Sequence, residues 1–250
     1  MLNDEVNGPS LDWVRQTYNS ELLGSRDKPD LWHEHTHAET ERFVSEMLSE
    51  LSISSTDAVL NAGSSGNGLG ITHPFHIQID IAERSLRGTR NAIAADLQML
   101  PFRSTSFELV VCVGSVINCC DAVRALSELT RVLRPGGVLI LEFERSQSLE
   151  FVFTPAFGQS STVINTFYNE KTHPLWVYSD EYVNSILAAF GMKVEKRQYF
   201  HVLSPLVLRV TNSVTAARRV ANLDPYFRKL PLVAKLACNT IWFCSKKVKA

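Results

Sequence analysis

The sequence predicts an α/β fold built on a mostly parallel sheet, and three observations carry that prediction. Five short apolar runs, Ala58–Asn61, His76–Asp80, Ala92–Asp96, Phe107–Val113 and Gly136–Phe143, are bounded by turn residues. Strands apolar on both faces belong to parallel sheets covered by helices on each side. The first run passes straight into the glycine-rich turn Gly63-Ser64-Ser65-Gly66-Asn67-Gly68, where missing Cβ atoms and access to positive φ let a ligand approach the backbone. Between the fourth and fifth runs, Ala122, Ala125, Leu126, Leu129, Val132 and Leu133 recur at helix spacing, as a crossover helix requires.

Composition fits one unit spanning residues 1–250. At 45% hydrophobic and 20% charged residues, a chain of this length buries a full core. The formal net charge of -1 speaks against a nucleic-acid partner. No apolar run reaches the roughly 18 to 20 residues that a membrane span needs. The N-terminus lacks the basic-then-apolar form of a signal peptide, and Cys112, Cys119, Cys120, Cys238 and Cys244 show no CxxC spacing. Reduced thiols in a cytoplasmic protein are the simplest account.

Taken in order, residues 1–10 are polar and expected to fray. Residues 11–51 read as a helical cap in two pieces separated by Pro29, with Leu11, Val14 and Tyr18 and then Phe43, Val44, Met47 and Leu51 at helix spacing. Residues 57–144 form the sheet core. Its clearest helix runs from Asp121, a good N-cap, to Leu133 and is ended by Arg134-Pro135-Gly136-Gly137. Residues 145–178 are a variable segment. In 179–250, Ser179 to Met192 reads as a capped helix closed by Gly191, followed by strands over 193–200 and 240–246. The intervening insertion, 201–239, is too long for a plain connection, and helices are expected over 206–220 and 232–237.

Ligands of open α/β sheets bind beyond the carboxyl ends of the strands. Those ends carry Asn61, Asp80, Asp96, Gly114 and Glu142. Three further segments follow in fixed order: Leu100-Pro101-Phe102, Ser106-Phe107-Glu108-Leu109-Val110 and Arg131-Val132-Leu133-Arg134-Pro135-Gly136-Gly137. With the turn and the strand-end acids, they make residues 57–144 resemble the class I S-adenosylmethionine-dependent methyltransferases, especially the small-molecule enzymes related to the ubiquinone and menaquinone methylases.

The resemblance implies a Rossmann-like sheet of seven strands with an antiparallel last strand, and S-adenosylmethionine as cofactor. It implies that Asn61 meets the cofactor's amino-acid end, that Ala62, Gly63 and Ser64 beside it also bind the cofactor, and that Asp80 binds the ribose hydroxyls. It further implies that Ile81, Asp96 and Leu97 contact adenine, and that Gly114 and Ser115 line the methionine portion. Independently, one carboxylate can accept two vicinal hydroxyls at once. There are departures from the pattern. Asn61 stands where the family has an acid, Ser65 where its second glycine is expected, and the stretch from Gly63 to Asp80 is short and contains Pro74. A shortened first crossover follows.

Methyl transfer from a sulfonium draws on proximity and alignment, with a base where the acceptor carries a proton. Candidate bases are His33, His37 and His173. On a helix, His33 and His37 share a face while His35 points away, so one metal cannot take all three, and no metal is expected. Trp32 is a candidate to pack over the cofactor, and Tyr168, His173 and Trp176 lie where this family recognises its acceptor. The expected partner is a small or medium-sized metabolite. The alternatives are a non-catalytic S-adenosylmethionine-binding or regulatory protein, or methylation of protein or RNA. The basic, apolar stretch within 201–239 fits a lid or, less simply, a peripheral membrane contact.

Overall fold

In the computed structural model, residues 8–24, 31–168 and 171–248 are described; residues 1–7 and Pro29 lie outside them. The chain begins with two helices, α1 (Leu11–Gly24) and α2 (Leu31–Ser49), and then enters the sheet at β1 (Val59–Ala62). Strands β2 (His76–Asp80), β3 (Ala92–Ala94), β4 (Phe107–Cys112) and β5 (Leu133–Glu144) follow, with α3 (Ala122–Val132) between the last two. A hairpin, β6 (Ser161–Tyr168) and β7 (Lys171–Tyr178), precedes α4 (Asp180–Ala189) and β8 (Met192–Phe200). Helices α5 (Ser204–Thr211), α6 (Val214–Ala221), α7 (Asp224–Phe227) and α8 (Pro231–Ala234) lead to β9 (Asn239–Lys246).

Seven strands form one sheet in the order β3-β2-β1-β4-β5-β9-β8. Pairing is parallel from β3 to β5, and β9 runs antiparallel to both β5 and β8. This is the Rossmann-like sheet that the resemblance implies. Helix α3 forms as the apolar spacing predicts: the Asp121 carboxylate accepts from the backbone N–H groups of Val123 and Arg124, and Ala125, Leu126 and Leu129 are fully buried. Ser179 caps α4 in the same way, accepting from the Tyr182 N–H.

The covering layers depart from the expectation of helical crossovers. The first connection, 63–75, contains turns and no helix, as its shortness and Pro74 imply; the connections over 81–91 and 95–106 also lack helices, and these two are the departure. One face of the sheet is instead packed by α3 and α4, where Leu126, Leu129, Val183 and Leu187 meet Leu60, Leu139 and Trp242. The opposite face is closed by α2, whose Phe43, Val44 and Met47 lie on Val59, Val111, Ile140, Phe200 and Ile241. An N-terminal helix thus takes the position that short crossovers leave uncovered.

The C-terminal insertion also differs. The helix expected over 206–220 is two helices, because Asn212 adopts a left-handed conformation (φ 49°) that ends α5 and the Ser213 hydroxyl caps α6. The helix expected over 232–237 is the single turn α8, and α7 was not foreseen. The hairpin in the variable segment was not foreseen either; its Ile164, Leu175 and Val177 pack on Phe151.

Candidate active site

The turn after β1 is held by the strand beside it. Gly63 and Ser64 N–H groups both donate to the Ile79 carbonyl at 2.9 Å, and Ser65 N–H donates to Asp80 Oδ2 at 2.8 Å. Ser65 has φ 46°, so the backbone keeps the left-handed conformation of a glycine although a serine occupies the position. Gly63 and Gly66, both at φ 77°, are sterically required: a Cβ on the first would collide with Val116, and on the second with the Ser85 carbonyl. Buried Asn61 closes the turn from within, its Nδ2 donating to the Asn67 carbonyl at 2.8 Å. Asn67 Nδ2 in turn reaches Glu41 of α2 at 2.7 Å.

Asp80 uses its second oxygen to accept the Ala82 N–H at 2.8 Å. Each carboxylate oxygen therefore retains a lone pair for a hydroxyl donor. Burial pushes the Asp80 carboxyl up, opposed by these N–H bonds. Asp96 accepts from the backbone and side-chain nitrogens of Gln98 at 2.8 and 3.2 Å, and Leu97 is buried beside it while Ile81 is half-buried. The Leu100-Pro101-Phe102 element is pinned to α3: Arg131 donates to the Leu100 and Phe102 carbonyls at 3.2 and 2.8 Å, and Glu128 accepts the Leu100 N–H at 2.7 Å. Two of the three ordered segments read in the sequence are thus one hydrogen-bonded unit.

Across the sheet, the end of β4 turns under the control of β5. Glu142 Oε2 accepts the N–H groups of Gly114 and Ser115 at 2.8 and 2.6 Å, while Oε1 accepts from Asn239 at 2.7 Å. Ser115, at φ 56°, donates its hydroxyl to Glu144 Oε1 at 3.1 Å. Asn118 bridges the Glu144 and Trp176 carbonyls, joining the hairpin to β5.

These residues open on a cavity of about 210 Å³. Trp13 and Tyr18 of α1, Trp32, His33 and His37 of α2, His173 of β7 and Leu208 and Arg209 of α5 line it over a floor of Gly114, Ser115, Glu142, Glu144 and Glu150. His33 and His37 share the cavity face of α2, and His35 points elsewhere, its ring 6.0 Å from that of His201. The His173 ring lies 5.6 Å from that of Trp13. Trp32 packs among Leu208, Ala217 and Ala221. The side chain of Tyr168 lies outside the described residues. Burial, reinforced by Glu150 and Glu142, pushes the Glu144 carboxyl up to about 8. Burial likewise pushes the Cys119 thiol up to about 11, which removes it as a nucleophile near neutral pH.

Two groups of candidates emerge. Gly114, Ser115, His33, His37 and His173 meet in the cavity. Asn61, Ala62, Gly63, Ser64, Asp80, Ile81, Asp96 and Leu97 are not part of its wall and form a row along the ends of β1, β2 and β3. The two groups adjoin where the Gly63 turn meets Val116. Sequence reading missed Trp13, Glu150 and Arg209, which reach the cavity only through the packing of distant segments.

The Methyltransferase domain family matches residues 66–141, the stretch holding the second half of the turn, Asp80, Asp96 and α3. Residues 66–141 thus carry the likeness to S-adenosylmethionine-dependent methyltransferases. A ubiquinone/menaquinone biosynthesis C-methyltransferase from Idiomarina loihiensis is 28% identical over 138 residues, 51% of this chain and 54% of that one. The chain therefore spans about half the length of that relative. An uncharacterised protein of Methanocaldococcus jannaschii is 26% identical over 218 residues, 83% of each chain. Among solved structures, the [4+2]-cyclase SpnF matches with TM-score 0.60 and 16% identity over 97% of this chain and 98% of that one. An S-adenosylmethionine-dependent methyltransferase from Listeria monocytogenes matches with TM-score 0.58 and 10% identity, over 84% and 99%. At those identities the likeness concerns the fold.

The methyltransferase-domain match implies S-adenosylmethionine as cofactor, and the strand-end row suits it. Asp80 has acceptor capacity for two hydroxyls, the cradle at Gly63 and Gly66 excludes side chains, and Asn61, with its Nδ2 engaged, offers Oδ1 to an ammonium. Among the described residues, no group of three or more His, Cys, Asp or Glu is arranged to hold a metal ion, and no helix is long and apolar enough to cross a membrane.

Proposed function

We propose that this chain transfers a methyl group from S-adenosylmethionine to a small or medium-sized metabolite held in the cavity beside the strand-end row. The observation that carries the reading is the cavity itself: about 210 Å³, walled by aromatic rings and floored by Gly114 and Ser115. In our reading that floor borders the acceptor space, and the row of cofactor candidates adjoins it where the Gly63 turn meets Val116. Concave sites with apolar walls and a few convergent polar groups are typical of small ligands.

In this reading Asp80 binds the ribose hydroxyls, and Asp96, Leu97 and Ile81 hold the adenine. Asn61, Ala62, Gly63 and Ser64 meet the amino-acid end, and Gly114 and Ser115 border the sulfur. The bound cofactor supplies an electrophilic methyl on a good leaving group. The protein's part is then to align the acceptor in line and to exclude water. An acceptor that carries a proton loses it to His33, His37 or His173, or to Glu144, whose raised pKa suits proton exchange near neutrality. The five cysteines are unpaired, which supports a reducing, cytoplasmic setting.

Titration calorimetry with S-adenosylmethionine and S-adenosylhomocysteine tests the first half of the proposal. Micromolar binding is expected, and its absence overturns the reading. Transfer of labelled methyl across an acceptor library tests the second half. Tight cofactor binding without transfer to any small molecule would favour a regulatory binder or a macromolecular acceptor.

A further inference from the structure

Beyond α5, which walls the cavity, the helical insertion exposes an apolar, basic knob. Leu223, Tyr226, Leu230 and Leu232 are 48%, 68%, 53% and 80% exposed. Four large apolar side chains within one ten-residue stretch are more than the single exposed hydrophobics that any surface carries.

The knob is firmly presented. At its start the buried Asp224 carboxylate accepts the Leu203 N–H at 2.8 Å and the Ser204 hydroxyl at 2.5 Å. At its end Arg145, itself buried against Asp180, donates to the carbonyls of Lys235 and Ala237 at 3.1 and 2.8 Å. Between these anchors the Lys229 ammonium stands 5.9 Å from the Tyr226 ring. The exposed leucines therefore do not owe their exposure to loose chain.

Charge distinguishes the possible partners. In a chain of net charge -1, residues 204–238 carry six bases against the single acid Asp224, which is buried; Arg209 faces the cavity and Arg228 pairs with Glu39 at 3.1 Å, so Arg219, Lys229 and Lys235 are the exposed charges. Exposed Lys229 and Lys235 flank the Leu230-Pro231-Leu232 tip. Lysine is depleted in the core of protein interfaces. Apolar side chains and a tyrosine ringed by lysines instead suit the boundary between headgroups and acyl chains, where the lysine stems bury and the ammonium groups meet phosphates.

We propose that residues 223–235 dock this protein on an anionic lipid surface, with Leu230 and Leu232 entering the headgroup boundary. Helix α5, which contributes Leu208 and Arg209 to the cavity wall, is tied to the knob through Ser204 and Asp224. Docking brings that wall of the cavity to the membrane, within reach of an amphiphilic acceptor.

The test is flotation of the full chain with vesicles of phosphatidylcholine alone and of phosphatidylcholine mixed with phosphatidylglycerol. No cofactor is added, so the result is independent of methyl transfer. Binding to the anionic mixture that weakens with salt is expected. The pair Leu230→Ser and Leu232→Ser should weaken it by at least about tenfold, from lost apolar burial. The pair Lys229→Glu and Lys235→Glu should cost at least about fivefold per position. All four positions are exposed, so the thermal midpoint should not move. No flotation at low salt, or leucine variants that bind as well as the parent, would overturn the proposal. A salt-resistant dimer that the leucine variants dissociate would overturn it too, in favour of a protein interface.

Discussion

Asp80 and Ser65 are joined by a 2.8 Å hydrogen bond from the serine N–H to the carboxylate, so the acid at the end of β2 also shapes the turn at the end of β1. Asp80→Ala removes a proposed ribose acceptor and a turn anchor together. A hydrogen bond to a charged group contributes about 1.5 to 3 kcal/mol, so affinity for S-adenosylhomocysteine should drop by at least about tenfold. Unchanged affinity in calorimetry would show that the ribose lies elsewhere.

Ser65 holds a left-handed conformation that costs an L-residue about 1 to 2 kcal/mol. Ser65→Gly should relieve part of this and raise stability by about 1 kcal/mol in urea titration. Gly66→Ala should act in the opposite sense and more strongly, because the new methyl meets the Ser85 carbonyl as well as a φ of 77°. Gly70→Ala is the control: its φ is also positive, at 64°, but nothing lies within 4 Å of the added Cβ, so only the backbone cost remains.

Burial, with Glu150 and Glu142 nearby, pushes the Glu144 carboxyl up to about 8, well above its ordinary value of 4.5. Between those two values the unfolded chain has released the proton that the folded chain retains, so stability contributed by this group falls as pH rises. Glu144→Gln removes the dependence. The variant's thermal midpoint should gain on the parent's steadily from pH 5 to pH 8 and level off above; a constant difference would show that Glu144 is already ionised at pH 5.

The Arg145–Asp180 pair is buried, 2.6 Å apart, and Asp180 also accepts the Tyr199 hydroxyl. Asp180→Ala leaves a buried guanidinium without its counter-charge, a loss of about 3 to 5 kcal/mol. Chemical denaturation should register it, and because Arg145 anchors the 235–237 carbonyls, amide exchange in α8 should quicken by more than in α3.

The parts of the fold legible in the sequence are those whose signal is local. Asp121 and Ser179 announce their helices because a capping side chain acts on amides two or three residues away, and β4 and β5 announce themselves by near-continuous apolar text. The β6–β7 hairpin was hidden for a physical reason. Pro174 stands inside β7, opposite Asn165, where an interior strand could not accommodate it; a two-stranded ribbon has only edges, so the missing donor is tolerated. The strand-end row could be listed residue by residue because parallel strands align their ends. The cavity is legible only in part: His33, His37 and His173 are candidates from the sequence, but Trp13, Glu150 and Arg209 join them only once α1, α2, the hairpin and α5 have packed against β5.

The helix that replaces the missing crossovers gives the molecule a particular order of assembly. Phe43 of α2 packs at 5.3 Å between ring centroids on Phe200, and the same cluster takes in Ile241. On the ribosome, α2 is made before any strand, yet part of the surface it covers belongs to strands made at the very end. Its apolar face must wait for almost the whole chain to emerge, a long-range closure that favours slow completion and exposes Phe43, Val44 and Met47 to chaperones in the interval.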